Sequence, residues 1–245
     1  ARASPPPARG VPLARRLMLR AVLFDVDFTI SRPGPELAAE GFVRLGARHG
    51  LQHDAARYAE ARAAATAGFR RHPELHHDDE LWVAFTEEII RGLGGDGPGV
   101  QACAREMVLA WEQHDNFDLY EDAPPVLAEL RRYGLKIALV SNTGRELDGF
   151  VRHHRLDVDV AISSRAHGRT KPHPSIFEAA LEALGVGAGQ AVMVGDSLED
   201  DVEGAAEVGL PAILVDRDGR HPEFSPRLVD LYGLPAALGL VRPGA

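Results

Sequence analysis

The chain has 245 residues, is 45% hydrophobic and carries a formal charge of −9, so it can bury a full core as one large or two modest domains. The acidic balance disfavours a nucleic-acid partner, and no apolar run is long enough for a membrane-spanning helix. A single cysteine, Cys103, leaves no internal disulfide and fits a reducing cytoplasm.

Residues 1–17 hold Pro5, Pro6, Pro7, Pro12 and several arginines without an acid or an apolar run. They read either as a disordered leader spanning about residues 1–20 or as a start-site overcall, with Met18 the true start. Arg2, Arg9, Arg15, Arg16 and Arg20 lack interleaved aromatics, a weak basis for a nucleic-acid or membrane patch. The next segment, VLFDVDFT at 22–29, changes character. Val22, Leu23 and Phe24 show no polar alternation, which predicts a strand covered on both faces of a parallel sheet. The run stops at Asp25, with Asp27 two positions later, and parallel sheets bind ligands beyond strand C-termini. Two carboxylates so close would repel unless a proton or a divalent cation held them. One could attack an electrophile while the other moves protons. The alternative is an Asx turn or a helix cap.

The next core strand begins near Lys136, an interval of about a hundred residues, too long for a loop. Apolar residues spaced by three and four predict helices over 36–50, 54–71, 78–93 and 100–114, the third opened by Asp78 and Asp79. The interval reads as an all-helical cap with hinges near 31–35 and 116–122. Within it, His72, His76, His77, Asp78 and Asp79 suit a solvated loop between helices, with substrate contact as the second reading and a metal site as the third. Cys103 reads as a small buried apolar residue.

After residue 123 helix and strand alternate, which predicts a doubly wound parallel sheet. KIALVSNTG (136–144) is a buried-strand pattern ending in Ser141 and Asn142, either a phosphate cradle of hydroxyl and backbone N–H groups or an ordinary capped turn. RTKPHPSIFEAAL (169–181) sets Lys171 before a Pro-rich turn and an amphipathic helix, an ammonium able to neutralise phosphoryl and carboxylate groups or simply a surface lysine. AVMVGDSLEDDVEGAAEVG (191–209) brings Gly195 and Asp196 to a strand end, followed by Glu199, Asp200 and Asp201, which could merely complement a helix dipole. A last strand is expected at 212–215 and an irregular, Pro-punctuated tail beyond it.

Together VLFDVDFT, LVSNTG, KPHPSIF and VGDSLEDD resemble, in order and spacing, the haloacid dehalogenase-like hydrolase superfamily, specifically its members with a helical cap inserted after the first motif. The resemblance implies a Rossmann-like α/β core over 21–31 and 119–245 and a cap over 32–118. It also implies that Asp25 is a nucleophile forming an aspartyl-phosphate and Asp27 the general acid, then base. Thr29, Ser141 and Asn142, the last through its backbone, would hold the phosphoryl group, with Lys171 balancing charge. Mg²⁺ would sit on Asp25, the Asp27 backbone carbonyl and Asp196, supported by Asp201, an all-oxygen set suited to a hard cation. Asp200 stands where many relatives have Asn, and Phe28 where many have Gly. A carboxylate at Asp27 argues for phosphate chemistry, since the dehalogenases lack one there and need no metal. The expected function is therefore a Mg²⁺-dependent phosphatase acting on a small phosphorylated metabolite, with a phosphomutase or an idle binding module as alternatives. Neither a nucleic acid nor a membrane is an expected partner.

Overall fold

The computed structural model describes residues 19–240. Residues 1–18, which hold nearly all of the expected leader, lie outside that range, as do 241–245.

Six parallel strands form the main sheet: β1 (Ala21–Phe24), β4 (Lys136–Ser141), β5 (Val160–Ser163), β6 (Ala191–Gly195), β7 (Ala212–Val215) and β8 (Arg227–Leu228), in the order β5-β4-β1-β6-β7-β8. The unalternated run Val22, Leu23, Phe24 follows from burial on both faces. Val22 and Phe24 join Ile137, Leu139, Val192 and Val194 in one hydrophobic core, while Ala21 and Leu23 join Ala138, Val140 and Met193 in a second. The helix α7 (Pro174–Leu184) covers the second face through Ile176, Phe177, Ala180 and Leu184. On the first face lie α5 (Ala123–Arg132) and α6 (Leu147–His154), through Val126, Leu130 and Phe150. Because β1 has β4 on one side and β6 on the other, the chain reverses its direction of sheet growth there. That reversal opens a crevice beyond the C-terminal ends of β1, β4 and β6.

Between β1 and β4 the chain leaves and returns through a two-stranded antiparallel ribbon, β2 (Ser31–Pro33) paired with β3 (Phe117–Leu119). Four helices lie between them: α1 (Ala39–Arg48), α2 (Tyr58–Gly68), α3 (Asp79–Gly92) and α4 (Val100–Glu112). Small residues set the α2–α3 approach, for a Cβ on Gly92 would come 2.5 Å from that of Ala61. Asp78 caps α3 by accepting from the Glu80 N–H. Helix α2 ends earlier than the periodicity suggests, because Phe69 turns to extended backbone and sends residues 69–78 toward the sheet.

The tail beyond Asp216 corrects the expectation of irregular chain. Arg227–Leu228 extends the sheet beside β7, and Leu231, Leu234 and Leu238 are buried in the first core. Their three- and four-residue spacing is an apolar stripe that the prolines at 222, 226 and 235 obscured. Among the described residues no helix is long and apolar enough to cross a membrane.

Candidate active site

Asp25 follows β1 directly and is 5% exposed. Its backbone N–H donates to the Val194 carbonyl at 2.9 Å, which continues the β1–β6 ladder and fixes the residue at the crevice mouth. The Lys171 ammonium lies 2.6 Å from Asp25 Oδ1 and 2.7 Å from Asp201 Oδ1, with all three groups buried. Asn142 holds Lys171 by its backbone, accepting from the Lys171 N–H at 2.6 Å and donating to its carbonyl at 2.9 Å. Asp201 is held by the Ser197 N–H at 3.0 Å. Gly195 is required at the end of β6, since a Cβ there would sit 2.2 Å from the Asp201 carboxylate carbon.

Carboxylate oxygens of Asp25, Asp196 and Asp201 come within 4.8 Å of one another. Two buried carboxylates and the half-buried Asp196 outnumber the Lys171 ammonium and the Arg220 guanidinium, which leaves the cluster anionic when all three are ionised. Burial pushes Asp25 well above the usual carboxylate range, and Asp201 and Asp196 add to this while Lys171 opposes it. Asp196 is pushed up to about 6 by burial and by Asp201, with the Arg220 guanidinium at 3.1 Å in opposition. Lys171 is raised despite its burial, because Asp201 and Asp25 favour its charged form. An uncompensated all-oxygen donor set of this size fits a hard divalent cation such as Mg²⁺.

The Asp27 carboxylate points elsewhere, outside that triad. Both of its oxygens accept from Arg145 Nη2 at 2.9 Å, and Ser31 Oγ donates to Oδ1 at 3.3 Å. Arg145 is 1% exposed and lies over the Phe117 ring at 3.6 Å, with Phe150 at 5.1 Å. Its Nε donates to the Trp111 carbonyl of α4 at 3.4 Å. Sequence reasoning did not single out Arg145, and the only signal was its position immediately after SNTG. Thr29 is fully buried, and its hydroxyl donates to Asp25 Oδ2 at 3.2 Å, so it touches the carboxylate itself. Ser141 and Asn142 line a cavity over the site together with Asp25, Asp27, Lys171, Asp196, Asp200 and Asp201.

The segment 69–78 docks on the core. Leu75 accepts from the Thr170 N–H at 2.8 Å, and the His77 N–H donates to the Gly168 carbonyl at 3.1 Å. The His77 ring lies between Ser164 Oγ at 2.8 Å and Asp79 at 2.9 Å, so this histidine is not in a solvated loop. His72 and His76 face the cavity. Arg71 pairs with Asp200 and donates to the Lys171 carbonyl at 3.1 Å. An Asp at position 200 thus has a cationic partner from the helical segment.

A family model for haloacid dehalogenase-like hydrolases matches residues 19–209. The chain is 32% identical to a phosphoserine phosphatase of Thermus thermophilus, over 86% of this chain and 94% of the relative. It is also 32% identical to a glyceraldehyde 3-phosphate phosphatase of Methanopyrus kandleri, over 86% and 89% respectively. The crystal structure of a HAD phosphatase from Thermococcus onnurineus superposes with a TM-score of 0.65 at 28% identity, covering 92% of this chain and all of that one. The chain belongs to the haloacid dehalogenase-like hydrolases.

Proposed function

We propose that the protein is a Mg²⁺-dependent phosphatase that hydrolyses a phosphate monoester of a small metabolite through an aspartyl-phosphate on Asp25. The observation that carries this reading is the buried cluster in which Lys171 bridges Asp25 and Asp201 at 2.6 and 2.7 Å beside Asp196. A dianionic ester and an anionic nucleophile repel, so a fixed ammonium and a divalent cation are what such a site needs. The phosphatase names of two relatives covering most of the chain support the choice of ester.

Asp25 attacks phosphorus, and its rotation is restrained by Lys171 on Oδ1 and Thr29 on Oδ2. Asp27 gives a proton to the departing alkoxide and then takes one from the water that cleaves the aspartyl-phosphate. Arg145 and Ser31 hold Asp27 in place for both transfers. Ser141 and Asn142 lie where the phosphoryl oxygens would be held, and the Asn142 side chain also keeps Lys171 in register. Asp25, Asp196 and Asp201, with the Asp27 backbone carbonyl, would hold Mg²⁺, which when bound neutralises phosphoryl charge. Residues 32–118 serve as a cap that excludes water from the reacting centre. Phosphate release that requires both Mg²⁺ and Asp25 is the expected result of an assay on a panel of phosphate esters. Release that survives Asp25→Asn would reject this reading.

A further inference from the structure

We propose that the organic part of the substrate is a flat aromatic group, read by Phe28, Phe69 and Trp82. This inference rests on the phosphatase reading and names the class of ester.

The cavity over Asp25 measures about 680 Å³, a size that holds a ligand well beyond a three-carbon phosphate. On the helical side its wall is aromatic. Phe69 and Trp82 stack with centroids 5.1 Å apart and planes at 28°, and Phe85 meets Phe69 edge-on at 5.4 Å. Phe69 and Trp82 are half-buried and belong to neither hydrophobic core. They pack on each other and on Phe85, and the surface they leave uncovered lines the cavity, where it can meet a planar partner.

Phe28 is the second observation. It lies between Asp27 and Thr29 with φ +66°, a conformation that glycine adopts freely and a bulky side chain does not. Its ring is half-buried, lines the cavity and joins neither core, and the Arg62 guanidinium sits 4.7 Å over it. A strained backbone that holds a large ring away from the core is accounted for if the ring touches ligand. The site geometry gives the contact a direction. Asp27 protonates the leaving oxygen, so the residue next to it stands where the organic part of the ester begins.

Of the cavity's arginines, Arg62 lies over the Phe28 ring, and the other four are committed to carboxylates. Arg71, Arg165, Arg217 and Arg220 are already paired with Asp200, Asp79, Asp122 and Asp196.

The test compares phenethyl phosphate with ethyl phosphate, two alkyl esters of similar leaving-group basicity, so that a rate difference reports binding of the ring. Acetyl phosphate, with an Asp25→Asn blank, reports the core reaction separately. The expected result is a kcat/KM for phenethyl phosphate at least about tenfold that for ethyl phosphate, expressed mainly in KM. That ratio should fall toward one in both Phe28→Gly and Trp82→Ala. Asp25-dependent turnover of acetyl phosphate with a wild-type ratio near one or below would overturn the inference and leave the phosphatase reading intact. A high ratio that both variants keep would overturn the assignment of these residues. No Asp25-dependent release from any of the three compounds would overturn the phosphatase reading and this inference with it.

Discussion

Arg145 is the most informative single residue beside Asp25, because a fully buried guanidinium is stable only where its charge is matched. It is matched by Asp27 at 2.9 Å and by the faces of Phe117 and Phe150. Arg145→Lys offers a point charge in place of a planar fork. We expect it to lower kcat at least about tenfold with KM within a few-fold, since in the proposed mechanism proton transfer depends on where Asp27 is held. Arg145→Met leaves Asp27 without its cation and should also cost roughly 3 kcal/mol in chemical denaturation. Steady-state kinetics of the two variants separates positioning from stability. In the proposed mechanism Asp27→Asn removes the proton donor itself, and kcat should drop by about 10²- to 10⁴-fold. Phe28 makes the opposite prediction for stability. Its φ of +66° costs on the order of 1–3 kcal/mol, and its ring is in neither core. Phe28→Gly should therefore leave the denaturation midpoint unchanged or raise it, and a clear fall would show that the ring supports the fold.

Secondary-structure elements deliver these residues, and some elements are plainer in the sequence than others. The buried strands announce themselves as unalternated apolar runs, so the residue pattern alone places Asp25, Ser141 and Asp196 at strand ends. The four helices between β2 and β3 follow from apolar spacing, as with Val83, Ile89 and Ile90 in α3. Other features have no local signature. The ribbon of β2 and β3 is three residues on each side and contains Pro33, too short for a period of two to show. Phe69 ends α2 because the following segment docks through Leu75 and His77, a tertiary effect. Arg145 is silent because one arginine after a turn is ordinarily solvated, and only the fold brings Phe117 and Asp27 to it. At this scale Gly195 is decisive. Gly195→Ala would drive a methyl into Asp201 and dislodge the partner of Lys171. Activity should be lost and stability should fall by about 1–3 kcal/mol, measured on the same preparation.

For the whole molecule the buried acidic cluster links pH, cation and stability. Asp196 is raised from 3.8 to about 6, so the folded protein binds its proton more tightly than the unfolded chain does. That contribution is fully present below about pH 4 and is lost as pH rises through about 6. Asp25 is raised as well and acts in the same direction. Above that window the ionised cluster opposes folding, and a cation that binds only the folded form restores the balance. The rise in melting temperature on adding Mg²⁺ should thus be larger near pH 7 than near pH 5, as calorimetry would show. An equal rise at both values would mean that Mg²⁺ binds elsewhere. The same molecule closes its site with contacts from the helical segment to the core, Arg71 to Asp200 and Arg165 to Asp79 and Glu112. Residues between Tyr58 and Glu112 thus line the cavity over Asp25 together with the core. In the proposed reaction Asp25 accepts a phosphoryl group in the presence of Mg²⁺. That step is tested most directly by intact-protein mass spectrometry after rapid acid quench of the enzyme with acetyl phosphate and Mg²⁺. A single added phosphoryl mass that maps to Asp25 and is absent in Asp25→Asn is the expected result, and phosphorylation that persists in that variant would overturn the proposal.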